Sequence, residues 1–206
     1  MFITFEGGEG GGKTTAIKAV TKLLKEAGYK VILTREPGGP RISEDIRNII
    51  LDKANTKMDK RTEALLFAAS RRQHLVETVW PNLKKGNIVI CDRYLDSSLA
   101  YQGGAGKLGV DNVLKVNLFA TEGTWPNLTF LFDIDPKLGL KRINKNKGRE
   151  VNRLDLERLS YHNEVRKNFL MLAKRYPKRI VIIDASKKPQ QIIDQVYREI
   201  KKRLKK

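Results

Sequence analysis

Two periods alternate along this chain. Short runs of consecutive apolar residues recur, many of them β-branched or aromatic, and between them apolar positions repeat at intervals of three and four. FITFE at Phe2–Glu6 predicts a first strand, and Lys13 to Ala27 predicts a helix with Ile17, Val20, Leu23 and Leu24 along one face. Gly28 ends that helix, because glycine accepts the left-handed cap conformation. Further strands are expected at Val31–Leu33, Ile88–Cys91, Leu128–Phe132 and Ile180–Ile183. Helical patterns lie over about 43–52, 61–83, 111–120, 137–145, 154–175 and 190–204. Continuously apolar strands are buried on both faces, and helices between them supply the crossovers that parallel pairing requires. The pattern therefore predicts an α/β fold in one domain over residues 1–206, with a five-stranded parallel sheet flanked by helices. The most polar stretch, 144–152, is expected to be a mobile loop.

Composition narrows the setting. With 206 residues and 40% hydrophobic content, a sizeable core is available. NIVICD and RIVIID are too short to cross a bilayer, and MFITFEGG opens with no basic segment and long apolar run. A cytoplasmic protein without a membrane partner is expected. A lone cysteine, Cys91, excludes an internal disulfide, and two histidines, His74 and His162, leave little for a zinc site.

Charge is the anomaly. Lys and Arg total 41 against 23 Asp and Glu, a net +18. Residues 1–100 hold 17 bases and 12 acids, and residues 101–206 hold 24 and 11. Such a balance favours a polyanionic partner: nucleic acid, acidic lipid or a phosphorylated small molecule. No nucleic-acid motif accompanies it, so no nucleic-acid partner is expected.

The strongest chemical signal follows the first strand. Gly7-Gly8-Glu9-Gly10-Gly11-Gly12-Lys13-Thr14 matches G-x-x-x-x-G-K-[ST], the P-loop, with a strand before it and a helix after it. Glycines let backbone N–H groups turn inward around phosphate oxygens. Lys13 adds a charge that reaches the β- and γ-phosphates, the Thr14 hydroxyl suits Mg²⁺, and the helix points its positive end at the anion. Gly7 through Thr15 is thus the expected ATP-binding segment. The third strand delivers Asp92 and Arg93. Alone, that pair fits a capped strand end equally well; beside a P-loop, Asp92 suits the metal and Arg93 a second phosphate.

FEGGEGGGKTT, TREPGG, LFAASRRQH, CDRYLDSSLAYQG and a basic loop ending in NRLD occur here in an order that resembles bacterial thymidylate kinases over nearly the whole chain. The resemblance implies a nucleoside monophosphate kinase of the P-loop NTPase fold that phosphorylates dTMP to dTDP with ATP and Mg²⁺, feeding dTTP synthesis. A homodimer is implied as well. Phe67 and Arg71, four apart on one helical face, resemble the ring that stacks on the pyrimidine and the guanidinium that reaches its O4. On spacing alone a core ring and a solvated charge would be the favoured reading, and the resemblance reverses it. Ser98 and Gln102 resemble the contacts around N3, and Tyr101 the ring against the sugar, although a half-buried tyrosine also suits that position. Arg47 and Arg93 resemble the pair that grips the monophosphate; a plain surface residue is the alternative for Arg47. Glu36 and Glu9 resemble acids that position the sugar hydroxyl, the acceptor or the metal, and Glu36 also suits a turn cap. The P-loop interior carries no arginine, so a lid at about 142–153 is expected to supply Arg149 and Arg153 to the transferring group. Lys13, Arg93, Arg149, Arg153 and Glu9 are the expected catalytic set, with Thr14 and Asp92 at the metal.

Overall fold

The computed structural model describes residues 1–145 and 157–204. Five strands form one parallel sheet: β1 (Phe2–Glu6), β2 (Val31–Arg35), β3 (Ile88–Asp92), β4 (Leu128–Asp133) and β5 (Ile180–Asp184), in the order β2-β3-β1-β4-β5. Each expected strand is present. The central strand β1 is buried along its length, whereas the edge strands β2 and β5 alternate with exposed positions.

Among the described residues the α-helices are α1 (Lys13–Glu26), α2 (Arg41–Leu51), α3 (Lys60–His74), α4 (Trp80–Lys84), α5 (Leu95–Ser98), α6 (Val110–Thr121), α7 (Pro136–Lys145), α8 (Leu159–Arg175) and α9 (Pro189–Leu204). Period-2 alternation divides the core between the two faces of the sheet. On one face Ile3, Phe5, Phe130 and Phe132 meet Ile17, Val20 and Leu24 of α1 and Val196 of α9. On the other, Phe2, Val89, Cys91 and Leu131 meet Leu75, Leu99 and Phe169.

Two departures from the sequence reading concern helices. The pattern over 61–83 is not one regular helix, because a π-helical turn, Leu75–Val79, separates α3 from α4. The last helical pattern of the lid region was expected from Leu154. Residue 154 lies outside the described residues, and Arg158, in extended conformation, precedes the first turn of α8 at Leu159. A second π-helical segment, Leu99–Ala105, extends α5. Such wide turns are uncommon and cluster at functional sites.

Parallel strands bring their carboxyl ends to one edge, where ligands bind in open α/β sheets. The segments after β1, β2 and β3 all emerge there.

Candidate active site

The turn after β1 is shaped by its glycines. Gly7, Gly10 and Gly12 have φ of 126°, 70° and 81°, and a Cβ on Gly7 would fall against the Phe132 carbonyl oxygen. A Cβ on Gly10 would strike the Gly139 carbonyl oxygen of α7, and one on Gly139 the Glu9 carbonyl oxygen, so neither tolerates a side chain. Gly139 carried no signal in the sequence beyond being a glycine inside a helical pattern. Lys13 opens α1 and curls back over the loop, its ammonium donating to the carbonyls of Gly7 at 3.0 Å and Gly8 at 2.7 Å. Thr14 and Thr15 lie exposed on the first turn. Thr14 Oγ1 stands 3.5 Å from Asp92 Oδ2. Two hard oxygens side by side at a phosphate cradle fit Mg²⁺.

β3 ends in Asp92 and the chain then turns through Arg93, whose φ of 69° is left-handed for a residue with a side chain. Glu6, the last residue of β1, holds that turn: its buried carboxyl accepts from Tyr94 N–H at 2.8 Å and from Ser97 Oγ at 2.5 Å. Burial, with Asp96 close by, pushes the Glu6 carboxyl up to about 8. Arg93 donates to Gly7 O at 3.0 Å and to Glu9 Oε1 at 2.5 Å, and its guanidinium lies 5.2 Å from the Tyr101 ring centroid. The Tyr101 hydroxyl donates to the same Glu9 oxygen at 3.2 Å. Glu9, Arg93 and Tyr101 thus form one cluster over the mouth of the P-loop.

Deeper in, Arg71 is almost wholly buried. Its Nε donates to Glu36 Oε2 at 2.7 Å, and one terminal nitrogen donates to Ser98 Oγ at 3.1 Å and to Asn117 Oδ1. His74 Nδ1 donates to the other Glu36 oxygen at 2.8 Å, while its Nε2 meets Thr34 Oγ1 at 2.7 Å. Glu36 is therefore no simple turn cap; both its oxygens hold α3 against the end of β2. His74, weighed in the sequence only as a zinc ligand, has two hydrogen-bond partners in the fold. Gln102 Nε2 donates to Glu63 Oε1 at 2.8 Å. Arg47, half-buried, donates to the Pro37 carbonyl at 2.9 Å.

One cleft of about 440 Å³ joins these parts. Glu9, Lys13 and Thr14 line one end, Phe67, Arg71 and Gln102 the other, with Asp92 and Arg93 between. Glu36, Arg47, Ser98 and Tyr101 also line it. Arg142, near the end of α7, faces the same space and donates to the Ala185 carbonyl at 2.9 Å. Residues 142–145 of the expected lid belong to α7; Arg149 and Arg153 lie outside the described residues.

A cavity with a phosphate cradle at one end and a buried, hydrogen-bonding pocket at the other accommodates two ligands in line. Residues 5–196 match the family model described as thymidylate kinase. The chain belongs to the thymidylate kinase family. A thymidylate kinase of a Geobacillus species is 57% identical over 95% of this chain and 91% of its own length. That of Clostridium novyi is 55% identical over 99% and 98%. The crystal structure of thymidylate kinase from Ehrlichia chaffeensis superposes with a TM-score of 0.78 at 32% identity, covering 97% of this chain and 98% of that one.

Lys13 carries the pH dependence that this family site should display. Burial first, and the charge of Arg93 second, lower its ammonium to about 8. If the ATP phosphates lie against Lys13, as the P-loop motif implies, they favour the charged form, so ATP binding near pH 9 should draw up to about one proton onto the enzyme, and near pH 7 far less. Calorimetric titration in buffers of different ionisation enthalpy reads that number; zero uptake at pH 9 would contradict the placement of Lys13 against the phosphates.

Proposed function

We propose that the chain transfers the γ-phosphoryl group of ATP to dTMP, giving dTDP and ADP. The observation that carries this reading is the continuity of the cleft from Lys13 to Arg71, with Arg93 in its middle. A donor and an acceptor nucleotide seated from opposite ends meet phosphate to phosphate beside that guanidinium.

The P-loop amides and Lys13 hold the β- and γ-phosphates, and the ammonium exchanges the Gly7 and Gly8 carbonyls for phosphate oxygens. Mg²⁺, held by Thr14 and through water by Asp92, would offset charge on the same oxygens. At the far end Phe67 stacks on the base, Arg71 and Gln102 meet its edge, and Tyr101 packs on the sugar. Arg47 and Arg93 grip the acceptor phosphate with bidentate forks. To do so, Arg93 trades its contact with Glu9 for one with the incoming anion. An acceptor phosphate oxygen then attacks the γ-phosphorus, that P–O bond forms, and the bond from γ-phosphorus to the bridging β-oxygen breaks. The acceptor is a phosphate whose second ionisation falls near pH 6, so it reacts as an anion and no strong base is needed. Arg149 and Arg153 take the lid role on family resemblance, adding positive charge as phosphoryl passes.

The same reading includes a homodimer. Phe119 on α6 is 90% exposed and Leu65 on the neighbouring α3 is 57% exposed. Exposed apolar groups of this size on two packed helices suit a second copy of the chain.

Two measurements follow. Offered dTMP, dUMP, dCMP and dGMP with ATP, the purified protein should release ADP fastest with dTMP; a better acceptor elsewhere in that panel would contradict the assignment. Sedimentation should give a dimer for the wild type and a monomer for Phe119→Asp combined with Leu65→Asp, and a monomeric wild type would remove the second-copy proposal.

A further inference from the structure

The inner end of the cleft reads the acceptor base with two side chains of different character. Arg71 can only donate, whereas the Gln102 carboxamide can donate or accept depending on which way it faces. Arg71 is fixed by Glu36, Ser98 and Asn117 through Nε and one terminal nitrogen, leaving its second terminal nitrogen without a partner among the described residues. Its direction is set before any ligand arrives.

The direction of Gln102 is set by Glu63. Gln102 is 3% exposed and Glu63 is 8% exposed, so neither contact is exchanged freely for water. A carboxylate oxygen only accepts, which obliges the amide end that meets Glu63 Oε1 at 2.8 Å to be the NH₂ group. The amide oxygen then lies on the opposite side of the planar group. Among the described residues it has no hydrogen-bond partner, and it is not one of the fully enclosed unpartnered atoms, so it opens to the cleft that Gln102 lines.

We infer that Glu63 is the positioning residue that sets base specificity: by holding the Gln102 amide with its oxygen toward the cleft, it pairs an acceptor with the adjacent Arg71 donor. The inference rests on the dTMP reading and deepens it. A pyrimidine with a 4-keto group and N3–H presents a donor beside an acceptor, complementary at both positions. A 4-amino pyrimidine presents the reverse, so its N3 lone pair faces the amide oxygen and its amino group faces a guanidinium. Both mismatches leave buried polar groups unpaired, the situation in which hydrogen-bonding sites discriminate most strongly. Glu63 never touches the base. It removes the alternative amide orientation that would welcome the wrong one.

Glu63→Gln keeps the side-chain size but can donate as well as accept, so Gln102 is released to turn over. The ratio of kcat/KM for dTMP to that for its 4-amino analogue, 5-methyl-dCMP, should fall about tenfold or more, with KM for ATP unchanged. Equal proportional losses on both acceptors, leaving the ratio intact, would reduce Glu63 to a structural support and overturn the inference. Should the variant not fold, the wild type gives a second reading. The Gln102 side-chain NH₂ protons, followed by ¹H–¹⁵N NMR, should be protected from exchange before dTMP is added and remain so afterwards; protection that arises only with dTMP would contradict the preset amide. A wild type that phosphorylates neither acceptor contradicts the kinase reading itself, whereas a wild type that prefers dTMP with a variant of unchanged preference contradicts only the role of Glu63.

Discussion

A site meant to bring two polyanions together must store cations away from water, and buried cations need partners. That constraint organises the whole cleft. Three of the cleft's cations are held by protein oxygen: Lys13 by two P-loop carbonyls, Arg93 by Glu9 and Gly7, Arg71 by Glu36, Ser98 and Asn117. The partners differ in kind. Lys13 and Arg93 rest on groups at the cleft mouth that a phosphate can replace, while Arg71 is locked by groups inside the fold. On the proposed mechanism the first two act as movable charge, and the third as a fixed reading head.

The sheet makes this division possible. Parallel strands deliver the ends of β1, β2 and β3 to one edge, so the P-loop, Glu36 and the Asp92–Arg93 turn start within reach of each other. Glu6 ties two of these strands together by gripping the backbone of Tyr94. The extension of α5 through Leu99–Ala105 then places Tyr101 and Gln102, neighbours in sequence, on the same cleft wall. A wider turn than the α-helix serves this end, because adjacent residues must both reach inward.

The strands and the P-loop were legible because both are local signals: a run of apolar residues, and glycines at fixed spacing between a strand and a helix. Phe67 with Arg71 was legible as a pair of helix-face neighbours. What escaped were contacts that exist only once helices pack. Gln102 meets Glu63 across 39 residues, Arg71 meets Asn117 across 46, and His74 meets Glu36 across 38. Glu63 and Asn117 look like ordinary polar residues on helices, and only their burial sets them apart. Glu6 was hidden for a related reason, since the end of a strand announces nothing about a carboxyl turned toward the next strand's exit. The π-helical turns at Leu75–Val79 and Leu99–Ala105 have no signature of their own in hydrophobic periodicity.

On the proposed mechanism the cleft seats two nucleotides end to end with their phosphates meeting at Arg93. A crystal structure of the chain with adenosine and thymidine joined through five phosphates in a single molecule addresses it most directly. The phosphate chain should run from the P-loop amides past Lys13 to Arg93, with thymine against Phe67 and its edge on Arg71 and Gln102. A thymidine end lying outside the cleft, with Arg93 still bound to Glu9, would contradict the account.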